Sequence, residues 1–297
     1  MEEEFVKLLK SGDVANTKRF LNSNTAKISI NGTQCFSEVC VRGHIELFKY
    51  RVEYIKSINI FAEINYKHAF TYSCKSGSIE LVKYIIDHNI ASDTPIVDTL
   101  SIEYGFTNAC RSGNLELVKY VIEHTVLFGI EFNVHSSNDR GFKNACISGN
   151  VELIKFLLHY ADGLDSPIDI HRFTTAGFYS VCMSGNLNAV EYLLDYAMSI
   201  DSPIDIHNNN CHAFKGTVVG EKYDISRYIS MTSLTTNIKY LFDETENIGY
   251  IFNNELNADD PQVYRHNGAL VEVVNGQPNF NFIDENIHRL ARKKSAR

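Results

Sequence analysis

Phe36, Phe70, Phe106, Phe142, Phe178 and Phe214 recur at spacings of 34, 36, 36, 36 and 36 residues, and a Cys stands four positions after each of the first five. A fixed period of this length marks a chain built from copies of one supersecondary unit. The wording around each Phe recurs too: GFTNACRSGNLELVKY, from Gly105 to Tyr120, returns one period later from Gly141 to Phe156 as GFKNACISGNVELIKF.

Each column of the repeat has a physical reading. Phe106, Ala109 and Cys110 stand at i, i+3 and i+4, one stripe of a short helix. Gly113 falls where that helix should stop, because Gly enters the left-handed conformation freely, whereas a side chain costs roughly 1–2 kcal/mol there. The same slot holds Gly43, Gly77, Gly149 and Gly185. Ser78, Asn114, Asn150 and Asn186 follow, residue types whose side-chain oxygen accepts from the free amides opening a second helix. That helix carries Leu115, Leu117, Val118, Val121 and Ile122, an apolar surface too broad for a single neighbour. A lone unit of this size cannot bury it, so the units are expected to stack, each covering the next. The structural residues of the stack are Phe70, Phe106, Phe142 and Phe178, Cys74, Cys110, Cys146 and Cys182, and Gly77, Gly113, Gly149 and Gly185.

These residues make the chain resemble an ankyrin-repeat protein. Phe106 takes the Leu slot of the family pattern, Ala109 and Cys110 the Ala-Ala slots, and Gly113, Glu116, Val118, Lys119 and Ile122 their own, over roughly residues 1–230. The resemblance implies an all-α ankyrin-repeat solenoid of helix-turn-helix units. Two departures concern the turns between units: Gly105, Gly141 and Gly177 stand where the family has Pro, and the period is 36 rather than 33. The expected organisation is a capping repeat over 1–35, the array over 36–230, a degenerate half-repeat over 231–258 around Gly249 and Tyr250, and a non-repeat tail over 259–297. In the tail, Asn267-Gly268 and Asn275-Gly276 flank a short apolar run, a signal for a small β-meander from Gln262 to Ile283, with a disordered tail as the alternative.

Charge and cysteine usage narrow the partners. The net charge is −8; taking away the +5 of His288–Arg297 leaves −13 on residues 1–287, which disfavours nucleic acid. The basic end is read as a solvated terminus, with nuclear import as the weaker alternative. An acidic N-terminus and the lack of any long apolar run point to an intracellular protein with no membrane segment. The recurring cysteines occupy one slot per unit and read as core thiols, since neighbouring helices lie about 8–10 Å apart, beyond disulfide or zinc geometry. Cys35, Cys40 and His44 could be drawn as a partial metal cluster, but no fourth ligand stands nearby. Gly216 to Lys222 has the wrong spacing for a phosphate-binding loop, and no nucleophile elbow or zinc-protease motif is present. The expectation is no enzyme, no cofactor and no metal.

What remains is a binding module. In the resembled family, loop tips and first helices contact partner proteins, and here they would supply Tyr104, Ser136, Asp169, Asp205 and Asn208. His135, His171 and His207 form a column 36 apart in the connecting loops, the last two in identical Ser-Pro-Ile-Asp-Ile-His segments. A His that bonds its own turn is the plainer reading of that column, and partner contact the sharper one. The expected partner is a protein, with no small-molecule substrate. The alternative function is an adaptor recruiting substrates to a host ubiquitin ligase, as in poxvirus ankyrin proteins that carry a helical F-box-like tail. A bias towards Asn, Ile, Lys and Tyr with five Pro and no Trp is what A+T-rich codons give, and with the 36-residue unit it is similar to the mimivirus-like ankyrin families of giant amoebal viruses.

Overall fold

The computed structural model describes residues 2–24, 33–57, 65–90, 98–127, 130–171 and 177–233, with 238–243, 248–253, 262–265 and 270–271 beyond them. The chain divides into two compact units, Met1–Ala145 and Cys146–Arg297. In the first, helices come in pairs: α1 (Glu2–Ser11) with α2 (Val14–Asn24), α3 (Thr33–Val41) with α4 (Ile45–Ser57), α5 (Tyr66–Ser76) with α6 (Ile79–Ile90), and α7 (Thr99–Ser112) with α8 (Leu115–Leu127). Helix α9 (Ser136–Ser148) begins in the first unit and ends in the second. The second unit continues with α10 (Val151–Asp162), α11 (Tyr179–Ser184) paired with α12 (Leu187–Ser199), and α13 (Asn208–Val219) paired with α14 (Tyr223–Ser233).

The turn within each pair follows from three residues. Gly77, Gly113 and Gly185 have φ of 77°, 76° and 83°, and their amides return to the carbonyls of Cys74, Cys110 and Cys182. Ser76, Ser112 and Ser184 donate to the carbonyl three residues back and accept from the amide two residues on. Asn114 and Asn150 then cap the second helix, accepting from the amides of Leu117 and Leu153 at 3.1 Å. The cap has a second task that the sequence does not advertise. Asn114 Nδ2 donates to the Gly77 carbonyl and Asn186 Nδ2 to the Gly149 carbonyl, both at 2.8 Å, so each asparagine ties its turn to the turn of the preceding repeat.

Packing between repeats runs through the columns. Phe70, Phe106, Phe142, Phe178 and Phe214 are buried, as are Cys40, Cys74, Cys110, Cys146 and Cys182, all free thiols. Burial pushes the thiols of Cys40 and Cys146 up to about 12, at Cys40 against the opposing pull of the buried Arg51 guanidinium. The glycines that replace Pro are explained by the same packing. A Cβ on Gly105 would lie 2.3 Å from the Phe70 ring, and one on Gly141 equally close to Phe106, so glycine lets the ring of one repeat seat against the first helix of the next.

The C-terminal part corrects one expectation. In place of a helical half-repeat over 231–258, β1 (Ile238–Asp243) and β2 (Ile248–Asn253) are strands that pair antiparallel, Tyr240 opposite Ile251 and Phe242 opposite Gly249. The physical reason is local. Ile238, Tyr240, Phe242 and Ile248, Tyr250, Phe252 alternate with period two in β-branched and aromatic residues, a pattern that favours strand pairing over helix. β3 (Gln262–Arg265) and β4 (Leu270–Val271) complete an antiparallel sheet of order β1-β2-β3-β4, with Asn267-Gly268 between the last two strands. The meander therefore starts 24 residues before Gln262, at Ile238, and Asn275-Gly276 lies outside the described residues. β1 lies against α14, and β2 and β3 against α13, so the sheet flanks the last helix pair.

Candidate partner-binding surface

In the first unit, α5 and α7 flank a surface pocket of about 380 Å³ lined by Lys67, His68, Thr71, Tyr72, Asp98, Leu100, Ser101, Tyr104 and Asn108. Its frame is rigid. Asp98 caps α7, accepting from the Ser101 amide at 2.8 Å, and Lys67 Nζ reaches it from α5 at 2.6 Å. The Lys67 hydrogen bond, with those of Ser101, holds the Asp98 carboxyl down at about 2. Asn108 Nδ2 donates to the Thr71 carbonyl at 3.0 Å, pinning α7 to α5 across the pocket floor. Within this frame Leu100 and Tyr104, one turn apart on α7, are 64% and 54% exposed. Exposed apolar side chains beside a concave site are what a partner's own apolar group would cover.

Of the residues expected from sequence, Tyr104 lies in this pocket, and its companions there are ones the sequence reading passed over. The repeat hides them: Lys67, Glu103 and Asp139 share one slot, and His68, Tyr104 and Arg140 share another, so the residues that differ between copies carry the site. Ser136 is buried with its hydroxyl enclosed, and so presents no surface to a partner. His135 is turned onto the buried carboxylate of Asp139, one turn along. Ser137, Asn138 and Asp139 between them take left-handed backbone angles.

The loops of the second unit carry the rest. Asp169 accepts from the His171 amide at 2.9 Å and Asp205 from the His207 amide at 2.8 Å; Asn133 does the same for His135 in the first unit. In each loop the residue two positions before the histidine accepts from the histidine amide. The His171 ring instead reaches the next loop, Nε2 lying 2.6 Å from Ser202 Oγ. His207 is held below the ordinary imidazole range by burial, against the opposing pull of Asp205. Ile168, Ile170, Ile204 and Ile206 point inward while Asp169 and Asp205 stay exposed, occupying corresponding positions of successive loops. Asn208 opens α13, and its side chain lies outside the described residues.

No protein-family model matches the chain, and no curated protein does. Among solved structures it is similar to the crystal structure of the human ASB11 ankyrin repeat domain, at 15% identity and a TM-score of 0.41, over 65% of this chain and 82% of that one.

The second helices present a different surface. Lys18, Lys49 and Lys83 lie over the rings of Tyr50, Tyr84 and Tyr120 in the following repeat at 4.8, 5.5 and 5.2 Å, and Lys155 lies 5.2 Å over Tyr192 in the second unit. Lys49, Lys119 and Lys155 also pair with Glu46, Glu116 and Glu152 one turn back. Desolvation raises the tyrosine hydroxyls beneath, Tyr120 to about 12. These lysines are engaged within the protein itself. Among the described residues no group of His, Cys, Asp and Glu is placed to hold a metal, and no helix is long and apolar enough to cross a membrane.

Proposed function

We propose that this chain is a non-catalytic protein-interaction scaffold that works inside the cell and binds a partner protein through its first-helix face and loop tips. The observation that supports this reading is the open pocket between α5 and α7, in which Leu100 and Tyr104 stand exposed beside the buried columns. The exposed Asp169 and Asp205 extend the candidate contacts to the loops of the second unit. The ligase-adaptor alternative needs a helical tail; the described parts of 259–297 are the strands β3 and β4. A photo-crosslinking residue placed at Tyr104 tests the proposal. A discrete crosslinked protein, lost when Leu100→Ala is added, is expected; no crosslink at Tyr104, Asp169 or Asp205 in cells would contradict it.

A further inference from the structure

Three of the first helices, α5, α7 and α9, together carry a charge opposite to that of the chain, whereas α1 and α3 each hold one more acid than base. Lys67 and Lys75 on α5, Arg111 on α7, and Arg140 and Lys143 on α9 face two acids outside the core, Asp98 and Glu103, because Asp139 is buried against His135. Lys75, Arg111 and Arg140 are exposed and Lys143 half-buried, and none of the four makes an ion pair among the described residues. The repeat register sets Lys75 and Arg111 in one column, and puts Arg140 in the column of His68 and Tyr104. On α6 and α8 the balance reverses, each holding two acids, Glu80 with Asp87 and Glu116 with Glu123, to a single lysine, while α2 and α4 stay net basic. The chain as a whole is at −8.

A protein of net negative charge repels acidic partners unless it gathers its unpaired cations where the partner lands. Here they stand on the two pocket helices and the next first helix: Lys75 and Arg111 in the last turns of α5 and α7, Arg140 and Lys143 on α9. Resting on the scaffold reading above, we infer that the partner is an acidic protein segment that places an aliphatic or aromatic side chain in the α5/α7 pocket and its carboxylates against Lys75, Arg111, Arg140 and Lys143. A uniform polyanion such as nucleic acid fits less well, because Asp98 and Glu103 interrupt the face, while a peptide can interleave carboxylates with an apolar anchor.

The test is selection of a random phage-displayed peptide library on the whole chain, followed by binding of the enriched peptides. Enriched sequences should flank a Leu or aromatic residue with Asp and Glu. The double variant Lys75→Glu/Arg111→Glu should weaken them on the order of tenfold or more, as should raising salt to about 0.5 M. Tyr104→Ala should weaken them while leaving the salt dependence in place, with circular dichroism melting confirming that each variant is folded. Peptides without acidic bias, or acidic peptides indifferent to both variants, would overturn this inference and leave the scaffold reading standing. Recovery of no binder counts against both. Tighter binding of an oligothymidylate than of any peptide, abolished by the double variant, would overturn it in favour of nucleic acid.

Discussion

At the scale of single residues, two positions separate local propensity from packing. A helix-interior Gly→Ala change ordinarily stabilises by about 1 kcal/mol. At Gly141 the added Cβ would meet the Phe106 ring at 2.3 Å, and an aromatic ring held in a packed column has little room to yield. Overpacking of that kind costs roughly 1–3 kcal/mol, so the clash wins and Gly141→Ala should lower the midpoint of chemical unfolding; a raised midpoint would show that the ring is not seated as described. Glu221 is the reverse case. It holds φ 57° in the slot where the other repeats have Gly, a conformation that costs a side chain roughly 1–2 kcal/mol. Glu221→Gly should therefore stabilise by about 0.5–1 kcal/mol after the added backbone entropy of Gly in the unfolded chain is allowed for, as urea titration would record.

Elements are held by turns that repeat. Gly149 has φ +69°, and a Cβ there would also meet Ser184 Oγ at 2.7 Å, so a β-branched side chain meets both strain and collision. Gly149→Val should destabilise the second unit by more than about 2 kcal/mol and split calorimetric melting into two transitions. An unchanged single transition would count against stacked, locally coupled repeats. The paired helices were legible because the same Phe, Cys, Gly and Asn recur in register, and repetition averages out the noise of any one segment. The strands β1 and β2 were misread for the same reason: once a period is in hand, Gly249 and Tyr250 look like its next beat, although the alternation of Tyr240 with Phe242 and of Tyr250 with Phe252 already spelled out a strand. The pocket was only partly legible. Tyr104 is among the contact positions the resemblance implies, but Lys67, His68 and Tyr72 join it through the contact of α5 with α7, which no single repeat displays.

For the whole molecule, a protein that carries −8 overall still places Lys75, Arg111, Arg140 and Lys143 on α5, α7 and α9 without ion pairs among the described residues, while Lys49 and Lys83 on second helices lie over tyrosine rings. That placement has meaning only if neighbouring repeats cover one another, because stacking is what turns the first helices into a continuous face. Cysteine accessibility reports on this directly, since Cys74 and Cys110 in one unit and Cys146 and Cys182 in the other lie fully inside the stack, with their thiolates disfavoured by burial. Native-state alkylation at mild pH, read site by site by mass spectrometry, should leave all four unmodified until urea unfolds the chain. Labelling of these four in the folded protein at the rate of an unfolded control would contradict the account.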